Sequence, residues 1–135
     1  MLRNTLAVVV GILAGMALNM ALIQFNSLVL FPMPPGTDMN NPEQFNAYIA
    51  SLPQAAFFVV LLAHLSQSFV GAWVAARLGV SHRMTLAMIV GAISLISGVL
   101  AMTMIDGPKW LIIELPLYLV VAWLAGRHVA ATANR

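Results

Sequence analysis

LPQAAFFVVLLAHLSQSFVGAWVAAR, from Leu52 to Arg77, is an apolar run of membrane-crossing length with one imidazole, His64, set inside it. A helix of roughly 20 apolar residues spans a hydrocarbon layer about 30 Å thick. In hydrocarbon a single segment satisfies its own backbone only by being helical. This stretch therefore decides the fold class, an all-α membrane protein. Three further apolar runs flank it, so the spans fall at residues 5–30, 53–77, 84–105 and 110–127, with one long loop at 31–52. The whole chain, 1–135, reads as a single four-helix transmembrane domain.

Composition agrees. Of the 135 residues 61% are hydrophobic and only 7% charged, too few polar groups to cover a soluble fold. The net charge of +2 is no nucleic-acid signature, because the cations sit at the ends of the apolar runs. Without cysteine, thiolate catalysis, disulfides and cysteine-held zinc or iron–sulfur centres are excluded. The first run is longer than a signal peptide's apolar core and no small-residue cleavage site follows it, so it is taken as the first span.

In the long loop, Pro32, Pro34, Pro35 and Gly36 forbid helix. Asn41 then offers an N-cap, Pro42 suits the first helical position, and Gln44 has the spacing of a capping box. Phe45, Tyr48, Ile49 and Leu52 share one face of the short helix this implies, which is expected to lie flat on the membrane surface. Pro116 inside the fourth span predicts a kink or local widening near 112–116.

Arg3, Arg77, Arg83, Arg127 and Arg135 fall on one side, whereas the other has only Lys109 against Asp38, Glu43 and Asp106. The positive-inside rule then places both termini in the cytoplasm. Trp73 and Trp123 sit one turn inside Arg77 and Arg127, while Tyr48 and Trp110 mark the opposite interface.

Two internal matches suggest a duplicated helical hairpin. Residues 72–77 (AWVAAR) resemble 122–127 (AWLAGR), and 7–11 (AVVVG) resemble 87–91 (AMIVG). The halves would share one orientation, related by an axis along the membrane normal; recurrence of interfacial tryptophan, small residues and arginine in unrelated spans explains the same matches. His64 lies thirteen residues before Arg77, and Glu114 thirteen before Arg127. Both thus lie roughly 20 Å from the basic ends. Ser94 and Asn19 fall near the same level. Small-residue seams say which faces meet: Ala87, Gly91, Ser94, Gly98 and Ala101 in the third span, His64, Ser68, Gly71 and Ala75 in the second, Gly11 and Gly15 in the first.

An ionisable group inside a span is a functional candidate, since hydrocarbon penalises it by about 2.5–3.5 kcal/mol or more. The candidate intramembrane polar site is therefore His64, Glu114, Tyr118, Ser68, Ser94 and Asn19. If the second and fourth spans adjoin, His64 and Glu114 pair, with Tyr118 as a third member, to relay protons or bind a polar or cationic solute. Otherwise His64 bonds a neighbouring serine or carbonyl and Glu114 reaches the headgroups. No nucleophile–base constellation points to an enzyme. No cofactor is implied: a lone deep histidine does not make a bis-histidine haem site, no histidine–carboxylate cluster has metal-ligand spacing, and the nine methionines read as packing residues.

The Ala63-His64 pair, the basic turn ARLGVSHR at 76–83, and Glu114 followed by Tyr118 and AWLAG at 122–126 resemble a group of small four-span bacterial membrane proteins with no assigned function. That resemblance implies a bacterial inner-membrane location and no activity. The size is similar to that of the small multidrug resistance transporters, but their key carboxylate lies in the first helix, which has none here. Two functions are expected: an accessory or interaction subunit working through lipid, a larger membrane complex or a homo-oligomer, or a small oligomeric transporter or proton-coupled channel built on His64 and Glu114.

Overall fold

The computed structural model describes residues 2–133, the side chain of Ala133 excepted. Arg135, counted above among the basic residues, lies outside the described residues. All regular structure among them is helical: α1 (Leu2–Phe25) with a π-helical end (Asn26–Leu30), α2 (Pro42–Ser51), α3 (Gln54–Leu78), α4 (Arg83–Met104), a 3-10 segment (Lys109–Ile113) and α5 (Glu114–Ala133). Four of these helical stretches are long and apolar enough to cross a membrane.

The fourth stretch departs furthest from expectation. In place of a widening near Pro116 the chain tightens, running as 3-10 helix from Lys109 to Ile113 before α5 begins at Glu114. Pro116 thereby falls in the first turn of α5, where a missing N–H costs little. The helix also continues past Arg127 to Ala133, because Val129 beyond it is 1% exposed and packs into the core. In α2, Asn41 caps as its position suggests, accepting from the N–H groups of Glu43 and Gln44. The reciprocal half of the capping box is absent. The Asn41 N–H is already given to the Asp38 carbonyl, and Gln44 Oε1 accepts from the Asp38 N–H instead.

The antiparallel hairpins α1–α3 and α4–α5 pack side by side, with α3 and α4 across the short diagonal and α1 and α5 at the far corners. The start of α1 and the end of α5 thus lie at one end, the terminal end, and α2 at the other, the loop end. Small residues dictate the contacts. A Cβ at Gly11 would meet the Gly71 carbonyl and one at Gly15 the Gln67 carbonyl, while Gly91 rests on Ala122 and Gly126 on Ala87. The core is correspondingly built of Ala72, Ala75, Ala76, Ala87, Ala122 and Ala125 around Leu86, Val90 and Val129. Large apolar side chains such as Leu13, Phe58, Leu62, Ile96 and Leu124 point outward. This inversion suits a hydrocarbon surround, in which close backbone packing, not water exclusion, holds helices together.

At the terminal end the Asn4 carboxamide fastens α1 to the α3–α4 turn, donating to Ser81 Oγ (3.0 Å) and accepting from the Val80 N–H (3.0 Å). His82 in that turn adopts a left-handed backbone, φ +54°. At the loop end the apolar face of α2 turns onto the bundle. Tyr48 is buried there and donates to the Phe31 carbonyl (3.0 Å), and burial pushes its phenol pKa above the usual value. Asn26, in the π turn, donates to the Ala56 carbonyl (3.2 Å), and Trp110 donates to Gln54 Oε1 (2.7 Å).

Candidate functional site

Helices α3 and α5 run parallel, and residues fifty apart in number meet across them at two successive turns. His64 Nδ1 stands 2.9 Å from Glu114 Oε2, and one turn below, Ser68 Oγ donates to the Tyr118 carbonyl at 3.0 Å. The helical repeat makes the second contact follow from the first: once the pair meets, i+4 on each helix meets as well. Glu114 is 2% exposed. It is the first residue of α5, and its backbone N–H is taken by the carbonyls of Leu111 and Ile112 in the 3-10 segment before it. Tyr118 is buried beside it, its ring 6.5 Å from that of His64 and lying on Gly98.

The six residues singled out from sequence therefore divide. His64, Glu114, Tyr118 and Ser68 come together. Ser94 is buried on α4 between Gly91 and Gly98, on the seam against α5, but forms no hydrogen bond to the pair. Asn19 sits in α1 at the level of His64, a height set by the contacts of Gly11 with Gly71 and Asn26 with Ala56. Its Oδ1 is buried without a partner among the described residues. Two further asparagines with interhelical bonds, Asn4 and Asn26, are not among the six. Their signal was present, since an amide in a span needs partners, but those partners lie 76 and 30 residues away.

Above the pair, toward the loop end, a half-open cavity of about 510 Å³ separates α1, α3 and α4 beneath α2. Ile23, Ile49, Phe57, Val60, Ile105 and Leu111 supply most of its wall, His64 and Glu114 its floor, and Lys109 its rim. The size and the ratio of apolar wall to few convergent polar groups are those of small-molecule sites. Below the floor the bundle closes on residues of no exposure, Ser68, Ala72 and Ala75. Among the described residues no three metal-ligating side chains gather.

No protein-family model, curated protein or solved structure matches the chain.

Proposed function

We propose that this is a small transporter of the bacterial inner membrane, which admits a lipophilic solute from the loop end and uses the His64–Glu114 pair as a proton-carrying stop. The observation that carries the reading is the cavity whose floor is a buried imidazole–carboxylate pair. Such a pair is costly to bury and does nothing for packing that leucine would not do. The accessory-subunit reading has no comparable feature behind it. Termini in the cytoplasm follow from the arginines, and α2 then rests at the outer headgroup level as a lid over the cavity. The matched glycines Gly11 and Gly91 both pack on a small residue of the following helix, which suits a duplicated hairpin, but in different register: Gly11 on Gly71, and Gly91 on Ala122, the counterpart of Ala72.

The test is thermal stabilisation of purified protein by a panel of neutral, cationic and anionic lipophiles. Binders are then carried into proteoliposome uptake under a pH gradient. At least one class should stabilise the wild type and lose its effect in Val60→Trp, which fills the cavity. Uptake should fall at least tenfold in Glu114→Gln. A panel that stabilises nothing, or stabilises the filled variant equally, refutes the reading.

A further inference from the structure

Building on that reading, we infer that the cavity recognises an uncharged lipophile through a hydrogen-bond-accepting group, of the ketone, quinone or ester class, held by His64 Nε2–H. The argument begins with which polar atoms a solute can touch. Glu114 is 2% exposed and its Oε2 is occupied by His64, whereas the His64 side chain retains 24% exposure. With Nδ1 committed to Glu114, the free ring nitrogen is Nε2. It has no partner among the described residues and is not among their sealed, unpartnered polar atoms, so it is accessible, on a side chain that lines the cavity.

Proton bookkeeping then fixes what Nε2 presents. A net charge in a site surrounded by hydrocarbon is expensive, so the resting pair is electrically neutral and holds two protons. Three placements satisfy this. Imidazolium and carboxylate leave one proton on Nδ1, shared with Oε2, and one on Nε2. Neutral imidazole and carboxylic acid put one proton on the acid, donated to Nδ1, and again one on Nε2. The third, with the acid proton on Oε1 and Nδ1–H donating to Oε2, leaves a lone pair at Nε2, but its 2.9 Å contact is neither charge-assisted nor made by the acid's own O–H and is the weakest of the three. In the two stronger placements Nε2 carries an N–H. The only other ionisable side chain on the wall is Lys109, also a donor. The reachable side-chain polarity is therefore all donor, set in apolar surroundings, and its complement is an acceptor on an apolar body. An anion would stop at Lys109, since beyond it lies the buried carboxylate.

Three probes on one carbon skeleton test this: tetralin, 1-tetralone and 1-aminotetralin, with 1-naphthoate as the anionic arm. Affinities are measured on the intact protein in a non-ionic detergent and corrected for micelle partition. The ketone should bind the wild type about tenfold tighter than the hydrocarbon, consistent with one added hydrogen bond. That preference should collapse to parity in His64→Phe, which keeps an aromatic ring, and survive in Lys109→Ala. Should His64→Phe fail to fold, the wild type alone decides. The bound ketone's carbonyl stretch should move to lower frequency, and the Nε2 resonance of His64 should shift with tetralone but not with tetralin. Equal binding of ketone and hydrocarbon, or an unmoved carbonyl stretch, overturns the inference while leaving the cavity reading intact. Preference for the amine overturns it by showing an acceptor at the floor, a lone pair at Nε2 or the Glu114 carboxylate, in place of a donor. Preference for naphthoate that disappears in Lys109→Ala moves recognition to the rim. Failure of every probe to bind counts against the cavity reading too.

Discussion

At the terminal end helices meet through residues with almost no side chain, Gly11, Gly71, Ala75, Ala87, Ala122 and Gly126, and the core there is closed. At the loop end the same helices carry Ile23, Phe57, Val60 and Ile105, too bulky for such approach, and a cavity stands between them. Among the described residues, helical turns other than α are confined to that second end: the π turn at Asn26–Leu30 and the 3-10 segment at Lys109–Ile113. Where side chains shrink, backbones touch and geometry is set by the chain itself; where they grow, space opens and polar groups can be held in it.

The sharpest way to break this contrast is to enlarge one residue at each end. Gly11→Val drives a side chain against the Gly71 carbonyl and should cost about 3 kcal/mol, read as lost resistance to denaturing detergent. Ile49→Trp, on the cavity wall, should stay within about 1 kcal/mol of the wild type in the same assay. Equal losses would mean that the ends are packed alike. Next in size is the pair at the boundary between the two regions. His64→Ala strands the buried Glu114 carboxyl and should cost about 1–3 kcal/mol. The double variant with Glu114→Ala should lose less than the sum of the single ones, and strict additivity would dissolve the pair.

Smaller effects refine the comparison. Tyr48→Phe removes the bond to the Phe31 carbonyl and should cost about 1 kcal/mol, seen as faster hydrogen exchange in α2 alone. Because burial raises the Tyr48 pKa, its stabilisation is complete below the ordinary phenol value near 10 and fades as pH climbs through the raised one, so α2 should loosen only in strong alkali. Ser68→Ala should cost least, about 0.6 kcal/mol, the usual worth of an interhelical hydrogen bond in a membrane.

Much of the contrast was legible beforehand. Hydropathy marks the spans because hydrocarbon leaves the backbone no other choice, and the small-residue seams name the faces that touch because only small residues allow it. The equal depth of His64 and Glu114 could be counted from Arg77 and Arg127, since α3 and α5 run in the same direction. That the two side chains face each other could not be counted, because it depends on rotation about each helix axis. The start of α5 was not legible for a related reason. Pro116 tolerates either a mid-helix or a first-turn position, and only the structure shows the second, with 3-10 helix before it and Trp110 bonded to Gln54 on another helix. The partner of Asn26 was not legible either, because a polar residue in an apolar run announces a need without naming who meets it.

The Asn4 clasp also imposes a sequence of events in time. Its partners, Val80 and Ser81, are made 76 and 77 residues later, after α3 has been threaded. Helix α1 thus waits without this clasp through the synthesis of α2 and α3, and the clasp closes only when the tight turn behind α3 emerges.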